Sequence, residues 1–306
     1  MIVLEVHSVS SFFSEIKKIV KIMRMYEKKY NKNSLQGTVY VLLSAICFSL
    51  GGVLIKSIPW NSLSINMVRS VLSFILIFAY QRTQGRKFVF NKMVLLGAVL
   101  NFVMALTFVM ATKMTTAANA IVLQFTEPVF LILIVWIVYR QKPKKDAVLT
   151  CILVLCGIFC FFFESLSTGG MAGNILAIVS GVTYAGVFLI KKFPGGDFES
   201  SLMVSHLISI VVGIPFLMRE TVFTPTVWGY VLVLGIVQFG LSYVFLSRGL
   251  DRVSPVTASL TSTIEPILNP ILVAIFCGET IGMLSIFGAV LVIGSATVYN
   301  LRQAKG

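Results

Sequence analysis

The chain has 306 residues, of which 57% are hydrophobic and only 12% are charged, and its mean hydropathy is +0.92. A soluble domain of this length cannot bury so much apolar surface, so the composition excludes an ordinary soluble protein and predicts that lipid is the solvent. The formal net charge of +13 would suit a nucleic-acid partner. The basic residues are better explained as orientation signals and contacts for anionic lipid headgroups, so we expect no nucleic acid.

Residues 1–34 precede the first long apolar segment and form a basic tail. Its apolar residues recur at helical spacing and face a basic stripe: Phe12, Phe13, Ile16, Ile19, Val20 and Met23 against Lys17, Lys18, Lys21 and Arg24. This pattern favours an amphipathic helix that lies on the cytoplasmic leaflet. A disordered basic tail is the alternative.

Ten apolar segments follow, each long enough to cross a bilayer as a helix of about 20 residues. They cover residues 35–57, 61–81, 93–112, 115–138, 147–164, 171–190, 201–218, 226–247, 253–277 and 283–301. No alternating strand pattern occurs, and helices are then the remaining way to satisfy the backbone in lipid. The sequence predicts an all-α membrane protein with ten transmembrane helices.

The basic residues predict the orientation, because short loops rich in lysine and arginine stay in the cytoplasm. Of the 25 lysines and arginines, 21 fall on the side of both termini, Arg69 lies within a span, and Lys56, Lys113 and Arg219 fall on the opposite side. We therefore expect both termini in the cytoplasm.

The chain repeats itself, which predicts a first repeat over 35–165 and a second over 166–306. An offset of 138 residues aligns Glu127-Pro128 with Glu265-Pro266, and an offset of 136 aligns Ser44 with Ser180. Five spans is an odd number, so the two repeats should be inverted relative to each other, about an axis in the membrane plane.

The sequence argues against an enzyme. The two histidines are His7 and His206, and the three aspartates, Asp146, Asp197 and Asp251, all fall in predicted loops. A Ser-His-Asp triad within the membrane is hard to build from these residues, and no zinc-protease or phosphate-loop motif occurs. We expect no catalytic residues, no metal site and no cofactor.

The two Glu-Pro pairs are the leading candidates for a site, because a charged side chain at the centre of a span normally faces a cavity or a partner. Each proline removes an amide donor and should break its helix at Pro128 and Pro266, with a further break at Pro270. Glu127 and Glu265 could bind a cationic group of a substrate or exchange a proton. Alternatively, each glutamate only braces a kink.

Arg69 breaks the symmetry, because its counterpart in the second repeat is Ser205. Its guanidinium could clamp a carboxylate or phosphate of a substrate. The alternatives are a permanent salt bridge to Glu127 or a side chain that reaches the membrane surface. His206 could be a proton-linked ligand or could simply bond a neighbouring hydroxyl. The remaining substrate-binding candidates are polar or aromatic residues within spans: Asn66, Asn119, Gln124, Tyr184 and Gln238.

These features together resemble the EamA-type branch of the drug/metabolite transporter superfamily. The resemblance covers about 35–302 and rests on the ten spans, on Glu127-Pro128-Val129-Phe130, on Glu265-Pro266-Ile267-Leu268 and on Gly278-Glu279. It implies that spans one to four and six to nine surround a central cavity, with spans five and ten at the periphery. The chain departs from the pattern at Arg140-Gln141, where Gly-Glu is usual, which puts in doubt any coupling role that needs both ends alike.

The resulting expectation is a secondary transporter in a bacterial-type plasma membrane. It would move a small metabolite that is amino-acid-like, amphiphilic or drug-like by alternating access, with a proton as a candidate coupling ion. The expected partners are this small-molecule substrate and membrane lipids, and a homodimer stays open. The alternative is a membrane protein that does not transport, such as a lipid-interacting scaffold or scramblase.

Overall fold

A computed structural model describes residues 34–115, 117–140, 142–163, 170–268 and 283–305. Within these ranges all regular structure is helical and no strand occurs. The predicted amphipathic tail and Pro270 lie outside the described residues. The helices are α1 Ser34–Phe48, α2 Gly51–Ser57, α3 Ser62–Thr83, α4 Lys92–Met114, α5 Ala117–Gln124, α6 Glu127–Tyr139, α7 Lys145–Phe162, α8 Met171–Leu189, α9 Phe198–Leu217, α10 Pro225–Leu232, α11 Ser242–Leu250, α12 Pro255–Ser262 and α13 Met283–Lys305.

Seven helical stretches of the described residues are long and apolar enough to cross a membrane. They are Ser34–Ser57, Ser62–Thr83, Lys92–Met114, Asn119–Val138, Met171–Lys192, Phe198–Leu217 and Pro225–Leu250. They coincide with the first four predicted spans and with the sixth to eighth. Helices α7 and α13 occupy the fifth and tenth predicted segments.

The helix breaks lie just before the Glu-Pro pairs rather than after them. Helix α5 ends at Gln124 and α6 begins at Glu127, while α12 ends at Ser262 and the helix resumes at Glu265. Proline is tolerated in the first turn of a helix, where its missing amide has no partner to lose. The expectation of a break at Pro128 and Pro266 is therefore corrected by two residues, and each glutamate lies at a helix N-terminus.

Equivalent contacts recur in the two halves of the chain. Ser44 Oγ donates to the carbonyl of Ser242 at 2.9 Å, and its counterpart Ser180 Oγ donates to the carbonyl of Met104 at 2.9 Å. Helix packing is also equivalent in the two halves: α8 packs on α4 in the same way that α1 packs on α11. The pairs α3 with α9 and α7 with α13 join equivalent segments of the two halves, and α6 packs on α12, which aligns with α5. This pattern is that of a two-fold pseudo-symmetric bundle.

The surface of the bundle is apolar, unlike that of a soluble protein. Large apolar side chains on several helices are exposed, among them Ile137 at 71%, Val211 at 69% and Val290 at 66%. Serine, asparagine and glutamine side chains are buried in the interior alongside clusters of apolar residues. Lipid does not penalise exposed apolar groups, whereas a buried polar group needs a hydrogen-bond partner, so polar residues gather where helices meet.

Candidate functional site

Arg69 lies at the centre of the bundle, in α3, and is only 1% exposed. Its Nε and Nη2 donate to Asn66 Oδ1 at 3.2 and 2.9 Å, and Nη2 also donates to the carbonyl of Ala105 at 2.8 Å. Its guanidinium carbon lies 4.1 Å from the ring centroid of Phe239. Nη1 makes no hydrogen bond within the described residues, so this part of the guanidinium is available to a ligand.

No carboxylate of the described residues forms an ion pair with Arg69. The predicted alternative of a salt bridge to Glu127 is therefore wrong, and so is the alternative that the side chain reaches the membrane surface, since Arg69 is fully buried. A buried charge without a counter-ion costs several kcal/mol. The carbonyl, the amide oxygen and the aromatic face offset part of that cost.

A chain of hydrogen bonds fixes the surroundings of Arg69. Asn66 Nδ2 donates to Ser209 Oγ at 3.1 Å, and Tyr243 Oη donates to Asn101 Oδ1 at 2.6 Å. Asn101 Nδ2 donates in turn to Ser205 Oγ at 2.8 Å. Asn101 is not among the site residues predicted from the sequence, although an asparagine inside an apolar span carries the same signal as Asn66.

His206 belongs to the same region, and the expected bond to a neighbouring hydroxyl is present. Its Nε2 lies 2.9 Å from Ser73 Oγ, while Nδ1 has no partner within the described residues. Its ring lies 5.2 Å from that of Phe239 and 6.1 Å from that of Tyr243. We call this region the Arg69 cluster: Asn66, Arg69, Asn101, Ser205, His206, Phe239 and Tyr243.

Gln238 lies one residue before Phe239, in a π-helical segment, Val233–Leu241, that joins α10 to α11. Its Nε2 is 3.4 Å from the carbonyl of Phe48, where α1 ends, and its Oε1 has no partner within the described residues. A Cβ on Gly51 would lie 2.9 Å from Gln238 Nε2, so the glycine leaves room for the amide in its present position. π-Helical turns inside α-helices are frequent at functional sites.

Gln124 and Asn119 have polar partners other than Arg69. Gln124 Nε2 donates to Ser180 Oγ at 2.7 Å. Asn119 Nδ2 donates to Thr115 Oγ1 at 3.2 Å and to Asn174 Oδ1 at 3.3 Å. These bonds join α5 to the end of α4 and to α8, so both residues have a structural use.

Glu127 and Glu265 form a second group, which we call the carboxylate pair. Both are buried, at 0% and 7% exposed, and they are close enough to interact electrostatically with each other and with the Tyr184 side chain. Glu127 Oε2 accepts a hydrogen bond from Ser259 Oγ at 2.9 Å, whereas Oε1 has no partner within the described residues. The offset of 138 places Ile121 opposite Ser259, so Glu265 lacks the corresponding hydroxyl.

A cavity of about 180 Å³ opens between α1, α12 and α13. Its walls are mostly apolar, with Thr38, Thr261 and Thr297 among the polar exceptions, and Ile264 beside Glu265 is part of its lining. No residue of the Arg69 cluster lines this cavity. Of the predicted site residues, the structure thus brings Arg69, Asn66 and His206 together, with Gln238 adjoining, and groups Glu127 and Glu265 with Tyr184.

Apolar helices around buried polar clusters define an integral membrane protein of the helical-bundle class. The chain matches the EamA-like transporter family over residues 35–163 and again over 171–301, and it belongs to that family. The two matches show that it carries two EamA repeats.

Named relatives agree with this assignment. An uncharacterized transporter of Archaeoglobus fulgidus is 24% identical over 86% of this chain and 95% of its own length. Solute carrier family 35 member G1 of Homo sapiens is 22% identical over 87% of this chain and 79% of its own. GDP-fucose transporter 1 of Dictyostelium discoideum is 23% identical over 57% of this chain and 50% of its own. A crystal structure with 15% sequence identity superimposes with a TM-score of 0.73 over 89% of this chain and all of its own, which shows the same fold.

Proposed function

We propose that this protein is a secondary transporter that moves a small metabolite with an anionic group across a bacterial-type plasma membrane by alternating access. Amino-acid-like solutes are the leading candidates, because Arg69 and the two glutamates could together bind a zwitterion. The ten spans form two inverted five-helix repeats, with both termini in the cytoplasm. The equivalent contacts of the two halves and the asymmetric distribution of lysine and arginine support this arrangement.

The observation that carries the proposal is the buried Arg69 without a carboxylate partner among the described residues. A permanent structural arginine would be expected to have a counter-ion, because the charge is costly to keep in a dry interior. A substrate carboxylate or phosphate would supply that counter-ion and would use the free Nη1 donors. The relative named a GDP-fucose transporter gives independent support for an anionic solute, since GDP carries phosphates.

The carboxylate pair would couple transport to protons. Ser259 donates to Glu127, whereas Glu265 has no hydroxyl at the equivalent position, so Glu265 is the less constrained of the two and the better candidate to bind and release a proton. A buried carboxyl keeps its proton and releases it only when the site opens to water. Proton release is then linked to the change of access, as coupled transport requires. Glu127, which Ser259 holds, would serve mainly to position the broken helix.

The proposal is tested with purified protein in liposomes. Thermal-shift screening of carboxylates, phosphates and cations selects ligands, and uptake of each selected compound then measures transport. Arg69→Lys keeps the charge but loses the planar donor geometry, and it should weaken binding of an anionic ligand by about 1–3 kcal/mol. Arg82→Lys, in the same helix but exposed, is the matched control and should bind normally.

Two results would contradict the proposal. Arg69→Lys protein with normal affinity but a lowered melting temperature would make Arg69 a structural residue. Lipid scrambling in the same liposomes, without uptake of any selected solute, would favour the scramblase alternative instead.

A further inference from the structure

One end of the bundle carries four charged side chains that meet where several helices end. Arg86 follows α3, Lys191 follows α8, Glu199 begins α9 and Asp251 follows α11. By the distribution of basic residues this is the cytoplasmic end. We call these residues the four-charge cluster.

The four-charge cluster is closely connected. Arg86 Nη1 lies 2.5 Å from Glu199 Oε1 and Arg86 Nη2 lies 2.9 Å from Asp251 Oδ2. Lys191 Nζ lies 3.3 Å from Glu199 Oε1 and 2.7 Å from Asp251 Oδ1. Each cation therefore contacts both anions, and Lys191 and Glu199 also bond Ser247.

The cluster joins elements of both repeats. Arg86 belongs to the first repeat, whereas the other three members belong to the second. One helical turn toward the membrane centre, the guanidinium of Arg248 lies over the rings of Tyr40 in α1, at 5.6 Å, and Tyr80 in α3, at 5.3 Å. The seam between α1 and α11 on one side and α3 and α9 on the other is thus closed by charges and aromatic rings.

Charges suit a contact that must break and reform. Paired charges lose little when they separate into water, because each ion is hydrated again, whereas separated apolar surfaces pay the full hydrophobic cost. Glu199 has a fully buried side chain, and its Oε2 has no partner within the described residues. The partners of the Glu199 carboxylate are Arg86, Lys191 and Ser247 while the seam is closed. Water can replace them when the seam opens.

The opposite end is closed by different chemistry. The indole of Trp60 is 2% exposed, donates to the carbonyl of Val222 at 2.7 Å and packs edge-on against Trp228 at 5.6 Å. The carboxylate of Glu220 there accepts from Asn61 N and Ser64 Oγ, at 2.7 and 2.6 Å. These contacts are ring packing and hydrogen bonds, and Glu220 forms no ion pair within the described residues.

We propose that the four-charge cluster is the cytoplasmic gate of the transporter, and that opening toward the cytoplasm requires separation of Arg86 from Asp251. The proposal rests on alternating access as the mode of transport. The ion pair between Arg86 and Asp251 is the moving contact, because it joins the end of α3 to the end of α11 across the seam. The structure then represents a state closed on this side.

The ion pair between Arg86 and Asp251 stays charged at neutral pH. Burial by itself would raise the pKa of the Asp251 carboxyl, but Lys191 and Arg86 outweigh burial and hold this pKa below its usual value. Burial would likewise lower the pKa of Arg86, but Glu199 and Asp251 outweigh it and raise this pKa. Proton binding to Asp251 therefore does not open the gate near neutral pH.

The test measures the width of the seam without any substrate. Spin labels on Gln36→Cys and Gln84→Cys, two exposed positions at the ends of α1 and α3, are introduced into full-length protein that lacks its native cysteines. Pulsed electron-spin distances are then recorded in lipid nanodiscs. Arg86→Gln and Asp251→Asn should each raise the fraction of the long-distance population by roughly threefold or more, as loss of ion pairs would produce. Arg86→Lys should give a smaller change.

Asp146→Asn is the matched control, since Asp146 pairs with Arg302 at 3.5 Å between α7 and α13, away from the seam. Its distance distribution should equal that of the unmodified protein.

Unchanged distances in Arg86→Gln and Asp251→Asn, or an equal change in Asp146→Asn, would make the four-charge cluster a static brace. Asp251 is partly exposed, so Asp251→Asn gives a folded variant even if a change at Glu199 does not. If the variants open the seam but the protein moves no solute in liposomes, the proposed transport is wrong. The role of the four-charge cluster in closing the seam is then still supported.

Discussion

At the scale of single residues, each buried charge is held by a different kind of partner. Arg69 has an amide oxygen, a carbonyl and an aromatic face, whereas Glu127 has one hydroxyl, Ser259. The repeat suggested that Glu127 and Glu265 are equivalent, but the neighbouring α12 gives only one of them a hydrogen-bond donor. The local chemistry is therefore asymmetric within a symmetric scaffold.

This asymmetry predicts different effects of neutralising the two glutamates. Glu265→Gln should abolish accumulation driven by a pH gradient but leave exchange between equilibrated compartments partly intact, because the amide mimics the protonated acid. Glu127→Gln should have a smaller effect, since its amide can still accept from Ser259. Transport in liposomes with and without an imposed gradient measures both. Gradient-driven accumulation at normal strength in Glu265→Gln would return Glu265 to the role of a helix brace.

At the scale of helices, the broken fourth span depends on close contact with α8. Helix α5 ends at Gln124, and a Cβ added to Gly181 in α8 would lie 2.7 Å from the carbonyl oxygen of Gln124. Glycine at position 181 lets the two backbones approach, as small residues commonly do between membrane helices. The break and the glycine are thus parts of one packing arrangement.

Gly181→Ala should consequently destabilise the protein by about 1–3 kcal/mol through overpacking. Gly229→Ala in α10 is the control, because a Cβ there meets nothing within 4 Å and alanine favours the helix by up to about 1 kcal/mol. Melting temperatures in detergent should fall for the first variant and stay level or rise for the second. A melting temperature of Gly181→Ala equal to that of the unmodified protein would mean that α5 and α8 can move apart without loss of stability.

The ion pairs at the helix ends make a pH-dependent contribution to stability. Asp251 has a lowered pKa when folded, so its contribution is fully present above the unfolded value, near 3.8, and is lost as the pH falls through the lower folded value. Asp251→Asn should lower stability by up to about 1 kcal/mol at neutral pH. The difference in melting temperature from the unmodified protein should shrink below about pH 4. A difference that is constant from pH 7 to pH 3 would contradict this.

At the scale of the whole molecule, alternating access needs two halves that exchange equivalent positions. The Ser44 and Ser180 hydrogen bonds are such a pair of contacts. The four-charge cluster has no counterpart of this kind, since the residues that align with Lys191 and Arg86 are Ile55 and Val222. The two ends of the bundle are thus closed by different interactions, and the open states should differ in stability.

The proposed orientation is tested by labelling intact cells with a membrane-impermeant thiol reagent. A cysteine at Met218, which is 81% exposed after α9, should react from outside. A cysteine at Gln84 should not react until the membrane is permeabilised. The reverse pattern would overturn the cytoplasmic termini and move the proposed gate to the outer face.

The sequence by itself determined the class, the family, the two repeats and the approximate positions of seven spans, because composition, apolar length and internal alignment are properties of the chain alone. It also located the paired helix breaks to within two residues, since proline acts locally. Only the tertiary structure decided that Arg69 meets Asn66 and Phe239 rather than Glu127, that Asn101 belongs to the site, and that Arg86 joins the two repeats. In lipid a helix is apolar on most of its surface, so periodicity does not reveal which face turns inward, and the partners of buried polar groups depend on how the helices pack.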